Sequence, residues 1–174
     1  KVVLFGGVVV AAIGLSAFTG FFELEGMVTA KRLQSTFQYA NATGAFLAAC
    51  ALLARSREYV KYKSIILILE TSLLLTQSVG ALMTYFFCLA LGLVLQDKDE
   101  RAGFYSETIL RLFLAFLFAA LLYGSKYVIQ APLLSLGALG VLFFSMKYGQ
   151  EVIDKLRNRI TLFVASLGMG GSIV

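Results

Sequence analysis

The sequence predicts an all-α fold, a polytopic transmembrane helical bundle with about six spans plus the start of a seventh. Three observations carry this prediction. Hydrophobic residues fill 59% of the 174 positions and charged residues only 14%, against about 45–50% and about 25% in soluble domains. The mean hydropathy is +0.85. Several apolar runs approach the roughly 20 residues that cross a bilayer, and the charges cluster between those runs.

The elements follow in chain order. Residues 2–22, "VVLFGGVVVAAIGLSAFTGFF", read as a first spanning helix, too long for a signal peptide and without a clear cleavage site. A polar segment, 23–38, leads to a second helix at 39–54, rich in Ala and Gly. The charged stretch "RSREYVKYK" at 55–63 precedes a long apolar block, 64–95. As one helix that block would be about 48 Å long, well beyond a hydrocarbon core of about 30 Å. Its middle reads "TQSVG", residues 76–80, and predicts a helical hairpin turning there. A charged loop at 96–107, a helix at 108–124, a break before Pro132 and a helix at 132–146 follow. Pro132 suits a helix start, where a missing N–H costs nothing. Residues 147–159 read as an amphipathic surface helix. The last apolar run, "ITLFVASLGMGGSIV", predicts that residues 1–174 form a single transmembrane domain that is a piece of a longer membrane protein.

Charge placement orients the bundle. With a hairpin at 76–80, Lys1 and the segments 55–63, 97–111 and 147–159 share one side and hold 12 of the 15 basic residues. Only Lys31, Arg32 and Lys126 lie opposite. Cytoplasmic loops carry the Lys/Arg excess, so the tips at 23–38, 76–80 and 124–131 are predicted to face outward. The same rule accounts for the pI of 9.3 without nucleic acid. The chain has no histidine, the commonest metal ligand and acid–base group. Cys50 and Cys88 lie inside apolar runs and read as packing residues.

Two outward clusters are candidates for chemistry. "RLQSTFQYANATGAFLAACALL" resembles the stretch of the O-antigen ligase and O-antigen polymerase family that reads R-x-x-(S/G)-T-F-x-(N/Y)-x-N-x-x-A-x-(Y/F)-L, with Arg32, Ser35, Thr36, Phe37, Tyr39, Asn41, Phe46 and Leu47 in the expected places. "LLLTQSVGALMTYFFCLALGLVL" is similar to that family's second signature, L-L-T-x-S-R-G-A-L. The resemblance implies transfer of a glycan from an undecaprenyl diphosphate carrier to an acceptor sugar. It places that reaction on the outer face of the bacterial cytoplasmic (inner) membrane, in a multi-pass protein. It implies a metal-independent inverting glycosyltransferase that needs no cofactor. Its partners would be membrane lipid, the lipid-linked glycan donor and the acceptor sugar. Arg32 would then stabilise the leaving diphosphate, as a guanidinium fork is suited to do. Ser35, Thr36, Tyr39, Asn41, Gln77, Ser78 and Gly80 would line the substrate site. One departure stands out: Val79 occupies the arginine position of the second signature. The further arginine and the histidine of the family's large outer loop have no counterpart in these residues.

Each residue also has a plainer reading. Arg32 could snorkel to lipid headgroups, and Asn41 could cap a helix or bond to a neighbouring one. Gln77 and Ser78 could satisfy the turn's own backbone. Glu70, a carboxylate inside an apolar run, is costly at about 2.5–3.5 kcal/mol and so points to a bundle interior, a catalytic role or a buried partner. Glu23 and Glu25 could serve as a general base or simply be solvated. Gly6, Gly7, Gly14, Gly137 and Gly140 read as helix-packing positions, and Phe113, Phe116 and Phe118 as lipid-facing or core. The alternative function is a membrane transporter or a non-catalytic component that binds the lipid carrier.

Overall fold

The computed structural model describes residues 1–22, 24–56, 65–95, 98–127, 133–142 and 155. Six α-helices appear among them: α1 (Val2–Thr19), α2 (Ala40–Ala54), α3 (Ile66–Thr76), α4 (Val79–Leu95), α5 (Lys98–Tyr127) and α6 (Leu133–Leu142). A two-stranded hairpin, β1 (Val28–Thr29) and β2 (Arg32–Leu33), and one 3-10 turn at Ser35–Phe37 lie between α1 and α2. The all-helical expectation holds. The hairpin turn of the 64–95 block also holds, since α3 ends at Thr76 and α4 begins at Val79. Glu23, most of the basic stretch at 55–63 and the segments 147–154 and 156–174 lie outside the described residues.

The span count is corrected. Among the described residues, only α1 and the Gly103–Tyr127 part of α5 combine the length and hydropathy needed to cross a membrane; α2, α3, α4 and α6 are shorter apolar helices. The physical reason is clearest in α3. Its 11 residues rise only about 16 Å, and all but Leu74 are buried within the protein. A helix covered by protein on nearly every side is a core element, and its polar residues, Glu70 among them, are buried with it.

Helices α1, α2 and α5 surround α3. From α1, Leu4, Gly7, Ala11, Gly14, Leu15 and Phe18 face inward at helical spacing. Cys50 presses on Gly7, where a Cβ would lie 2.7 Å from the thiol sulfur. The outward faces are also apolar: Phe5, Met83, Phe87, Val94 and Phe113 are each more than half exposed. Such surfaces are uncommon on proteins surrounded by water.

The link from α1 to α2 forms a cap over one end. Gly20, at φ 80°, ends α1, with its N–H and that of Phe21 returning to the carbonyls of Ala17 and Ser16. The carbonyl of Met27 then accepts both Gln34 N–H (2.8 Å) and Ser35 N–H (3.0 Å), closing the hairpin. The hairpin turns on Ala30 (φ 50°) and Lys31 (φ 62°). Two left-handed residues are what a tight two-residue hairpin needs, and Asn-Gly is the usual solution. Ala and Lys adopt that conformation at a cost of roughly 1–2 kcal/mol each.

Candidate functional site

The two segments predicted to face outward meet at Arg32, which bonds to a residue 44 positions further along the chain. Its Nε donates to Thr76 O (3.0 Å) and its Nη2 donates to both Gln77 O and Asn41 Oδ1 (3.2 Å each). Thr76 and Gln77 end α3, where carbonyls lack helical partners and carry the negative end of the dipole. A guanidinium satisfies both. Gln77, at φ 50°, reverses the chain, and its Nε2 donates back to Lys31 O (3.4 Å). Asn41 in turn donates to Tyr39 Oη (3.3 Å). Arg32, Tyr39, Asn41 and Gln77 therefore form one network on the cap. Arg32 keeps Nη1 without a partner among the described residues, so the side chain is fixed and still has donors to offer.

The other expected substrate residues divide. Ser35 is buried, and its hydroxyl donates to Val10 O of α1 at 2.6 Å. That approach exists because Gly14 lacks a Cβ: one placed there would lie 2.9 Å from Ser35 Cβ. Ser35 thus packs under α1 and is not on the exposed face of the cap that Arg32, Tyr39 and Asn41 share. Ser78 is also buried. It caps α4, its Oγ accepting Ala81 N–H at 3.5 Å, and its own N–H donates to Thr76 Oγ1. The plainer reading of Ser78 therefore holds. Thr36 is exposed beside this network. Gly80 has open space around it, in the first turn of α4. Val79 projects outward there, 68% exposed.

Glu70 lies elsewhere. It precedes Thr76 by six residues, about 9 Å along α3, and is 1% exposed. Arg55 Nη2 lies 2.5 Å from Glu70 Oε1. Tyr85 Oη of α4 also donates to Oε1. Arg55 reaches on to Tyr85 Oη (3.3 Å) and to Thr108 Oγ1 of α5 (3.0 Å). Four helices are thereby tied at one buried point. The Glu70 carboxylate faces not the cap but Arg55 and Tyr85, the buried partners that a carboxylate in an apolar run requires. A second buried pair, Arg111 and Glu107, is 3.0 Å apart on α5. The sequence concealed this cluster: Arg55 reads as one more basic loop residue, and Tyr85 as one aromatic among many.

A cavity of about 590 Å³ opens beside the cap, lined by Ala17, Leu24, Glu25, Thr29, Lys126 and Tyr127 among others. Lys31 Nζ and Lys126 Nζ each lie 5.5 Å from the centre of the Tyr127 ring. The three basic residues of the predicted outer side are therefore gathered at the same end of the molecule. Glu25 lies in this cavity, and its carbonyl accepts Gln38 Nε2 at 3.3 Å.

Comparison with protein-family models, with curated proteins and with solved structures finds no match for this chain.

Proposed function

We propose that the chain belongs to a multi-pass protein of a bacterial cytoplasmic membrane that acts as an O-antigen ligase- or polymerase-like glycosyltransferase. It moves a glycan from an undecaprenyl diphosphate carrier to an acceptor sugar on the outer face. The observation that carries this reading is Arg32 joining the two signature segments. An arginine held in place by three hydrogen bonds, with Nη1 to spare, is a preorganised donor for charge that develops on a leaving phosphate. The cavity next to it has room for a sugar and carries a carboxylate, Glu25, suited to take a proton from an acceptor hydroxyl.

The exposed Val79 favours a second reading, in which the protein binds the lipid carrier and does not transfer. One experiment separates the two. The full-length protein in liposomes is given a lipid-linked glycan and an acceptor, and both retention and transfer are measured. The transferase reading expects transfer that falls at least about a hundredfold in Arg32→Lys, where the fork is lost and the charge kept. Retention with no transfer by the native protein supports the carrier-binding reading. Neither retention nor transfer removes both.

A further inference from the structure

A shallow apolar groove of about 250 Å³ runs between α3 and α5, lined by Leu74, Leu75, Gln77, Phe116, Ala119, Ala120 and Tyr123. Phe116, Ala119, Ala120 and Tyr123 follow helical spacing down one face of α5. They extend about 10 Å along the axis. Ala119 and Ala120 provide the depth, and Phe116 and Tyr123 the two ends. Two lysines lie beyond one end of the groove, outside its lining, and one of them, Lys126, also lines the cavity at Glu25. The rings of Tyr123 and Tyr127 are 5.1 Å apart, and Lys31 and Lys126 both lie against Tyr127.

We propose that this groove is a binding site for one anionic phospholipid of the surrounding bilayer, its phosphate on Lys31 and Lys126 and one acyl chain along α5. Charge complementarity selects an anionic headgroup. The groove descends along the helix axis from the charged end, the direction in which a bilayer acyl chain runs from its headgroup. The strained turn at Ala30 and Lys31 has a purpose on this account, since it holds the Lys31 ammonium over Tyr127 at the mouth of the groove. The site leaves Nη1 of Arg32 unused and shares Lys126 and Tyr127 with the cavity at Glu25, and its test reads lipid contact, not glycan transfer.

Residues 1–174 contain no tryptophan, so Phe116→Trp places a fluorescent reporter within the groove, read as the difference from the unsubstituted protein. The full-length variant is reconstituted in nanodiscs of phosphatidylcholine with a minor fraction of brominated lipid. Brominated phosphatidylglycerol is compared with brominated phosphatidylcholine at equal mole fraction. The anionic lipid is expected to quench preferentially, by a factor of about five for each lysine engaged. Adding Lys31→Gln and Lys126→Gln is expected to abolish the preference, with circular dichroism confirming an unchanged helical fold. Equal quenching by the two headgroups overturns the proposal. So does a preference that survives loss of both lysines. Displacement of the brominated lipid by substoichiometric undecaprenyl phosphate also overturns it, and assigns the groove to the carrier instead.

Discussion

Arg55 Nη2 and Glu70 Oε1 are 2.5 Å apart, with side chains 8% and 1% exposed. A buried pair like this adds little over an apolar replacement, but losing one member leaves a stranded charge at about 3–5 kcal/mol. Arg55→Ala is therefore expected to lower stability by about 3–5 kcal/mol in denaturant unfolding in detergent. The double variant Arg55→Met, Glu70→Leu is expected to recover most of that. A double variant less stable than either single one would show that the pair is not the source of the effect. Glu70 Oε2 has no partner among the described residues, so Glu70→Gln is expected to be milder than Arg55→Ala: its amide oxygen can still accept from Arg55.

Two glycines of the signature region should respond in opposite ways. A Cβ on Gly44 would lie 2.9 Å from Ser78 Cβ and 3.0 Å from Ala81 Cβ and Thr76 Oγ1. Gly44→Ala is expected to cost about 1–3 kcal/mol, as overpacking does. Gly80 meets nothing within 4 Å. Gly80→Ala is expected to stabilise α4 by about 0.5–1 kcal/mol. Thermal unfolding of the two variants checks the pair. Equal shifts of the same sign would show that the α2–α4 contact is looser than drawn here.

The turn at Ala30 offers a stabilising change. Ala30→Gly removes one left-handed Cβ penalty and is expected to add about 1 kcal/mol. It leaves Lys31 in place. Amide exchange at Gln34 and Ser35, both bonded to Met27 O, should slow accordingly. Faster exchange would mean that Ala30 contributes contacts that outweigh its strain.

Val79→Arg introduces the residue found at this position in the family signature that the stretch resembles. The side chain starts from the exposed first residue of α4, at the same end as Arg32. A charge-assisted bond to a phosphate is worth about 1.5–3 kcal/mol. On the proposed carrier-binding reading, retention of undecaprenyl diphosphate in liposomes is therefore expected to rise at least about tenfold. Unchanged retention would place the carrier away from this rim.

Much of the architecture was already legible in the sequence. The helical class follows from apolar runs separated by charge clusters. The turn at 76–80 follows from its polar residues and from the placement of Lys and Arg. That residues 32–41 and 76–77 share one side was likewise a consequence of charge counting. The span count did not follow, because hydropathy records that a residue avoids water but not whether lipid or protein covers it. Only packing showed that α3 is enclosed by α1, α2 and α5.

The site divides along the same line. Sequence order alone presents Arg32, Ser35, Thr36, Tyr39 and Asn41 as equivalent members of one motif. The tertiary fold turns Ser35 under α1 and fixes Arg32 on the end of α3. It pairs Glu70 with an arginine 15 residues earlier in the chain. A hydrogen bond depends on where two side chains arrive in space, and a linear spacing does not encode that once the partners lie on different helices. Composition and periodicity decided what this chain is made of. Which polar groups satisfy one another, and which keep a donor to offer, was decided by the folded bundle.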